Sequence, residues 1–176
     1  MARADRWKEP GADRVRWILG EATTLPRLTA DLATLTGNVA QVFLPDDEFV
    51  SALRGVRGAI RSGGTVAFEV RDPDREAWRS WTREQSESRT HVPGVGVVES
   101  WVDLLEVSLT FVSPRWTYRF EGAGDVVTSD STLHSRSRSE VERAVSESGL
   151  VVLDVRDAPD RPGLELVFVC GNGTGG

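Results

Sequence analysis

Cysteine is almost absent from this sequence, and that absence excludes a fold held together by its own disulfides. Cys170 is the single cysteine among 176 residues, so no internal disulfide can form, and this usage favours a reducing compartment. The first residues contain no apolar stretch of the kind that a secretory signal requires. No apolar run approaches the ~18 residues that a membrane-spanning helix needs. We therefore expect a cytoplasmic protein that makes no contact with a membrane.

An excess of basic residues is also missing. The 21 lysines and arginines are outnumbered by 27 aspartates and glutamates, which gives a formal net charge of −6. The arginines are scattered with acids between them, as in residues 71–76. This pattern is typical of a solvated surface, whereas a nucleic-acid-binding protein presents a basic stripe or patch. We expect no nucleic-acid partner.

Several catalytic motifs are missing as well. No Gly-x-Gly-x-x-Gly lies between a strand and a helix, so a nicotinamide-dependent oxidoreductase is the weakest of the functions considered. No Gly-x-Ser-x-Gly is present, and no spacing of histidine, cysteine and carboxylate residues predicts a metal site. A composition with 39% hydrophobic and 27% charged residues nevertheless predicts an ordinary globular domain.

The most informative part of the sequence is a strand–helix–strand unit. Residues 31–36 and 65–70 predict two strands, the first of which ends at Gly37. The helix between them is predicted to begin after Pro45, to end at Ser62-Gly63-Gly64, and to bury one apolar face: Phe49, Leu53, Val56 and Ile60. Such a unit implies a parallel sheet with its site at the carboxyl ends of the strands. We expect Gly37 and Gly64 side by side there.

The segments around this unit predict further elements. Residues 14–19 alternate and predict another strand, and residues 74–87 predict a helix that carries Trp78 and Trp81 on one face. Residues 90–133 predict an inserted antiparallel meander of short strands, including 105–112, with a hairpin at 122–124.

A last helix and two last strands complete the predicted order. Ser139 and Glu142 match a capping box that begins a helix ending at Ser148, and Gly149 fits a left-handed helix end. Residues 150–155 and 164–169 predict two final strands.

In this order the elements resemble the later two thirds of a class I S-adenosylmethionine-dependent methyltransferase. Residues 15–26 resemble the family's third strand and its exit loop, and residues 31–44 its fourth strand with the following segment. The helix and fifth strand correspond to 53–72, and the closing helix and hairpin to 134–150 and 164–169. The resemblance implies an α/β fold with a Rossmann-like sheet, mostly parallel, with a carboxyl-terminal antiparallel hairpin. Residues 1–176 would form a single domain.

The resemblance also implies a function and a site. It implies methyl transfer from S-adenosylmethionine to a small molecule. By family position, Glu21 and Ala22 would lie beside the adenine. Thr36, Gly37 and Asn38 would approach the methionine part of the cofactor, with Gln41 just behind, and a glycine at a strand end lets backbone come close to a ligand.

The sequence departs from the family pattern at its start. The family's glycine-rich loop after strand one and the acid that ends strand two are absent, so we expect an incomplete domain without the first two strands. Cofactor binding is then expected to be weak. The exposed sheet edge leaves three expectations open: residues 14–19 and 31–36 pair directly, the chain associates with a second copy, or it is a fragment of a longer product. The alternative interpretation is a noncatalytic remnant domain that acts in association or oligomerisation.

Some polar and aromatic residues have a functional and a structural interpretation. His91 and His134 are candidates for a general base, because histidine is the residue type whose ordinary pKa lies nearest to neutrality, but both are typical of surface or turn positions, and we assign no catalytic base. Glu69 would lie near a substrate and could pair with Arg71, as a site pair or as a surface ion pair. Four tryptophans could line a substrate pocket or belong to the core: Trp78, Trp81, Trp101 and Trp116.

Overall fold

In the computed structural model the described residues are 14–122 and 124–173. In chain order the strands are β1 (Ala30–Leu35), β2 (Ile60–Arg71), β3 (Ser88–Val92), β4 (Gly96–Ser108), β5 (Phe111–Phe120), β6 (Val126–Asp130), β7 (Leu133–His134), β8 (Val151–Asp157) and β9 (Glu165–Gly171). The helices are α1 (Asp46–Ala59), α2 (Arg83–Ser86) and α3 (Arg138–Ser148). None of these helices is long and apolar enough to cross a membrane.

The first sheet contains the predicted strand–helix–strand unit. Its strand order is β1-β2-β9-β8. Strands β1 and β2 pair in parallel, while β9 is antiparallel to both β2 and β8. Three of the four strands therefore run in one direction, and the prediction of a mostly parallel sheet closed by a carboxyl-terminal antiparallel hairpin is confirmed.

The second sheet is the antiparallel meander. Its order is β3-β4-β5-β6, and β7 pairs with β5. One strand boundary was predicted wrongly, because residues 105–112 do not form a single strand. Leu109 has φ 56° in the turn between β4 and β5. A leucine in the left-handed region carries no turn signal in the sequence, so the hairpin was missed.

The core lies between one face of the first sheet and helices α1 and α3. The ring of Phe68 packs edge-on against Phe49 of α1, with the ring centroids 6.0 Å apart. On its other side Phe68 stacks on Phe168 of β9 at 5.3 Å. All three rings are fully buried. Aromatic contacts of this kind stabilise a core beyond the area that they bury.

The predicted strand at residues 14–19 is wrong. These residues form no strand, and Val15 and Leu19 are exposed. Alternation is not sufficient for a strand, because a strand forms only where another backbone accepts its hydrogen bonds. Among the described residues β1 has one neighbour, β2, so its other edge is unpaired.

The predicted helix at residues 74–87 is broken. The chain forms short 3₁₀ turns at Pro73–Arg75 and Ala77–Ser80, and Glu76 between them has φ 45°. Helix α2 then starts afresh, because the Thr82 side chain accepts a hydrogen bond from the Gln85 amide. The left-handed backbone conformation of Glu76 interrupts the helix, and a glutamate at this position does not predict that conformation.

Helix α3 starts two residues earlier than predicted. Its capping box is formed by Ser137 and Glu140 instead of Ser139 and Glu142. The two serine–x–x–glutamate patterns overlap, and Glu142 is instead paired with Arg138 at 2.8 Å. The left-handed end at Gly149 is confirmed by its φ of 83°.

The two glycine positions of the central unit lie at opposite ends of neighbouring strands. Helix α1 ends at Ala59 and not at the glycines, and β2 begins at Ile60. A Cβ on Gly64 would lie 3.2 Å from the carbonyl oxygen of Ala30, at the amino end of β1. Gly37 follows the carboxyl end of β1. The expectation that they lie side by side is wrong, because Gly64 lies in the amino-terminal half of β2 and Gly37 follows the carboxyl end of β1.

Removing the central ring should test this core. We expect Phe68→Ala to lower the free energy of unfolding by about 3–5 kcal/mol, since it leaves a cavity between two other rings. Urea denaturation followed by circular dichroism measures the change. Leu109→Ala is the matched control, because Leu109 is exposed, and it should shift the free energy by less than about 0.5 kcal/mol. Equal effects of the two variants would contradict this core.

The single thiol gives a second test. Cys170 is fully buried, and burial raises the pKa of its thiol to about 12. Alkylation requires the thiolate. We therefore expect the folded protein to resist iodoacetamide at about pH 8, while the urea-unfolded chain reacts readily because an exposed thiol has a pKa of about 8.5. Mass spectrometry measures the labelled fraction, and rapid labelling of the folded protein would contradict the burial.

Candidate functional site

A tight polar turn follows the carboxyl end of β1. Gly37 and Asn38 are both left-handed, with φ values of 76° and 58°. Glycine adopts this conformation without cost, and asparagine tolerates it better than most residues. A 3₁₀ turn at Val39–Val42 continues the chain. A Cβ on Gly37 would meet nothing within 4 Å, so open space lies beside this backbone.

Asn38 is buried between two carboxylates. Its backbone N–H donates to Oε1 of Glu69 at 2.9 Å, and its side-chain Nδ2 donates to Oε1 of Glu165 at 2.8 Å. A carboxylate only accepts, so the bond to Glu165 sets which end of the amide faces it. The opposite end, Oδ1, is buried and has no donor in the described part of the chain. This unsatisfied acceptor is unusual for a buried polar group.

Arg71 and Gln41 form the next part of the cluster. Nη1 of Arg71 donates to Oε1 of Gln41 at 3.1 Å, and the Arg71 guanidinium lies 5.1 Å from the centre of the Trp81 ring. Burial lowers the pKa of Arg71, while the negative charges of Glu165 and Glu69 act in the opposite direction. Glu69 and Arg71 do not bond to each other directly. Glu69 accepts from the amide of Asn38, and Arg71 donates to Gln41.

Glu165 connects the turn to the loop before β9. It lies opposite Arg71 in the β2–β9 register and is 4% exposed. Nη1 of Arg161 donates to the same Oε1 at 2.6 Å, and this bond raises the pKa of Arg161. One buried oxygen thus accepts from both an amide and a guanidinium.

A cavity of about 310 Å³ opens beside this cluster. It is lined by Thr36, Gly37, Glu69, Ala158, Pro159, Asp160, Arg161, Glu165 and Val167. Three carboxylates and one guanidinium therefore surround it. Its place at the carboxyl ends of parallel strands is where ligands bind in sheets of this kind.

The structure brings four of the six predicted site residues together and separates the other two. Thr36, Gly37, Asn38 and Gln41 belong to the same turn at the carboxyl end of β1. Glu21 and Ala22 line a different, mostly apolar cavity of about 340 Å³, together with residues of β1 and the end of α1. The carbonyl of Ala22 lies so close to α1 that a Cβ on Gly55 would be only 2.0 Å from its oxygen.

The sequence analysis did not identify Arg136, which holds the segment that follows Gln41. Arg136 is buried and donates to Oδ1 of Asp46 at 2.8 Å and to the carbonyls of Phe43 and Leu44 at 2.8 and 3.2 Å. Nδ1 of His134 lies 2.7 Å from the same Leu44 carbonyl. The partners lie about ninety positions apart in sequence, so no local pattern could indicate them.

His91 and the four candidate tryptophans do not line the cavity beside Thr36 and Gly37. His91 is exposed in β3. Trp101 stacks under Arg83 at 4.1 Å and donates from Nε1 to Asp103 at 2.9 Å. The backbone carbonyl of Trp81 accepts from the amide of Leu104 at 2.9 Å, which ties the segment between β2 and α2 to the second sheet.

The structure is similar to several solved methyltransferases. An S-adenosylmethionine-dependent methyltransferase from Clostridium acetobutylicum matches at 12% identity with a TM-score of 0.67, over 88% of this chain and 63% of that chain. The CcbJ methyltransferase from Streptomyces caelestis matches at 16% identity and 0.71, over 94% and 67%. CalS10, an amino pentose methyltransferase from Micromonospora echinaspora, matches at 17% identity and 0.59, over 87% and 63%.

These likenesses establish the fold. The chain has the fold of S-adenosylmethionine-dependent methyltransferases, which confirms the resemblance drawn from the sequence, and it spans 63–67% of the length of these solved structures. No protein-family model matches the sequence. No curated protein matches it either.

Removing Glu165 should test the polar cluster. We expect Glu165→Ala to lower the free energy of unfolding by about 1–3 kcal/mol, because the buried amide of Asn38 loses its acceptor. Arg161→Ala should cost clearly less, because the Arg161 side chain is 48% exposed and its loss leaves Glu165 bonded to Asn38. Urea denaturation of both variants measures the difference. A larger loss for the arginine variant would show that the amide bond contributes little.

Proposed function

We propose that this chain takes part in methyl transfer from S-adenosylmethionine to a small molecule, with the turn at Thr36–Gln41 as the methionine end of the cofactor site. The observation that carries the proposal is the polar turn after β1 in a fold shared with S-adenosylmethionine-dependent methyltransferases. The cofactor supplies a methyl group activated by a sulfonium. The chain's own residues have to bind and orient both reactants.

The residues at the turn fit the methionine part of such a cofactor. The exposed hydroxyl of Thr36 and the open backbone at Gly37 offer hydrogen-bonding groups next to the cavity. Glu69 and Glu165 hold the turn in place through their hydrogen bonds with Asn38. A pre-ordered turn loses little further entropy when a ligand binds.

The proposed adenine contacts lie apart from the turn. Glu21 and Ala22 line a separate cavity in this structure, and among the described residues no glycine-rich loop joins a strand to a helix. We therefore expect the cofactor to bind weakly, at one half of a site.

The acceptor is proposed to be a small molecule that lies at the carboxyl end of β2. CalS10 is an amino pentose methyltransferase and KedS8 a sugar N-methyltransferase, and both share the fold. Methyl transfer is an in-line displacement, so much of the rate can come from holding donor and acceptor at the reacting distance. We assign no catalytic base, and we place the reaction in the cytoplasm.

A noncatalytic role in association is the second candidate. The observation that favours it is the unpaired edge of β1 among the described residues, where Leu32 is exposed. Unpaired edges attract other strands. This role predicts self-association that rises with concentration, together with no response to the cofactor.

A substitution in the turn tests the proposed function. We expect isothermal titration with S-adenosylhomocysteine to give a dissociation constant of about 0.1–1 mM or weaker, equivalent to roughly 4–5.5 kcal/mol of binding. Gly37→Val should abolish the signal, because a β-branched side chain is strained at positive φ and fills the open space beside the turn.

Gly58→Ala is the matched glycine control, since Gly58 lies in α1 with nothing within 4 Å of an added Cβ. It should leave binding unchanged. Binding that survives Gly37→Val would remove the turn from the site. A complete lack of heat and of thermal stabilisation in the wild-type chain at millimolar ligand would favour the noncatalytic role.

A further inference from the structure

We propose that a cavity at the amino end of β2 binds the phosphate group of a small molecule. This cavity lies at the opposite end of the sheet from the turn at Thr36–Gln41. The inference therefore goes beyond the proposed function and does not depend on it. Three features carry it: the arginines that meet at the cavity, the lack of acids in its described wall, and the hydrogen bonds that occupy the neighbouring helix end.

Three arginines from different parts of the chain line this cavity, which has a volume of about 430 Å³. Arg27 precedes β1, Arg57 lies in the last turn of α1, and Arg61 belongs to β2. Because they come from separate elements, the fold assembles them, and no local run of basic residues does. A cavity of this size accommodates a small organic molecule.

The charged side chains of the described wall are all positive. No aspartate or glutamate lines the cavity among residues 14–122 and 124–173. Arg61 pairs at 2.6 Å with Asp31, whose side chain is 83% exposed. Arg27 and Arg57 form no ion pair with a described residue. In a chain with a net charge of −6 this wall is an exception, and a cleft lined by one sign of charge concentrates the opposite charge.

The guanidinium of Arg57 is positioned without being neutralised. Its Cζ would lie 3.2 Å from a Cβ added to Gly149, so it packs against the backbone at the end of α3. This contact orders the side chain and supplies no acid. An ordered guanidinium loses less entropy when it binds an anion than a mobile one does.

Donors already occupy the end of α1, where free carbonyls would repel an anion. The carbonyls in the last turn of a helix carry partial negative charge. Nδ2 of Asn172, a residue that also lines the cavity, lies 3.4 Å from the Arg57 carbonyl and 3.5 Å from the Ile60 carbonyl. It lies 3.1 Å from the carbonyl of Arg61. The side-chain amide thus offsets the negative helix end and leaves the guanidiniums available.

A phosphate group matches this wall better than a carboxylate does. A phosphate monoester carries about −1.5 to −2 charges near pH 7 and offers three strong acceptor oxygens. The two guanidiniums without an acidic partner balance that charge, and the planar fork of arginine donates paired N–H bonds to such oxygens. One carboxylate would offset only one of them. Ser62 also lines the cavity and adds a hydroxyl donor.

Nuclear magnetic resonance of backbone amides tests this proposal without requiring methyl transfer. The probes are two pairs that differ in a phosphate group, glycerol phosphate against glycerol and uridine monophosphate against uridine, together with inorganic phosphate. We expect both esters to shift the Gly58 and Ser62 amides at millimolar concentration and low ionic strength, and to leave the Gly37 amide in place. The neutral partners should shift none of them. Equal binding of inorganic phosphate would show recognition of the phosphate alone, and tighter binding of one ester would identify the organic part.

Arg57→Gln removes one guanidinium and should weaken binding of the esters by about tenfold or more. Arg143→Gln is the matched control, because Arg143 is exposed in α3 and does not line the cavity, and it should bind like the wild type. Gly58→Glu is a second variant, since open space surrounds an added Cβ and glutamate favours a helix more than glycine does. Its carboxylate should abolish binding by pairing with the arginines. If Arg57→Gln does not fold, Gly58→Glu decides the question.

Three outcomes would overturn the inference. The first is that no ester shifts the Gly58 amide, or that the neutral partners shift it equally. The second is that Arg143→Gln weakens binding as much as Arg57→Gln, which would indicate unspecific attraction to surface arginines. The third is that the esters shift Gly37 in place of Gly58. A chain that binds the esters at Gly58 but not S-adenosylhomocysteine would keep this site and lose the proposed cofactor site.

Discussion

The central strand β2 has to satisfy two different environments at once, and the rest of the structure depends on this. One face presents Val66, Phe68 and Val70 to the helices, and these side chains are buried. The other face carries Glu69 and Arg71 next to the polar turn. Because side chains alternate along a strand, a register slip of one residue would place charges in the core and the aromatic ring at the site. The Phe68–Phe168 stack holds that register.

The polar face is organised around a buried amide and not around an ion pair. Asn38 links the turn after β1 to β2 through its backbone and to β9 through its side chain. Three strands are thereby tied at one end of the sheet. Such a network is stable only while each member keeps its partners. A buried polar group that loses its partner costs more free energy than the hydrogen bond contributes when it forms. One acceptor, Oδ1 of Asn38, is nevertheless left without a donor among the described residues.

Much of the fold was predictable from the sequence, and the exceptions have a common cause. The alternation at residues 31–36 and 65–70 and the apolar spacing on α1 were sufficient for the central unit. Gly149 marked a helix end correctly. The errors lie where a residue adopts a conformation that its type disfavours, as at Glu76 and Leu109, or where a strand lacks a partner, as at residues 14–19. In the candidate site, too, the features with a local sequence signal were predictable and those that depend on distant partners were not. The turn at Thr36–Asn38 was predictable from its glycine, whereas Arg136 depends on partners far away in the chain.

The clamp formed by His134 and Arg136 joins the last strand of the second sheet to the segment that leads into α1. The strands of the second sheet share no backbone ladder with those of the first, although Leu104 of β4 is also bonded to the carbonyl of Trp81. A meander of this kind can be lengthened, shortened or replaced during evolution without disturbing the central unit, provided that the two clamp residues stay in register with their carbonyl partners. The second sheet could thus change in length or shape while the first sheet and its polar turn stay unchanged.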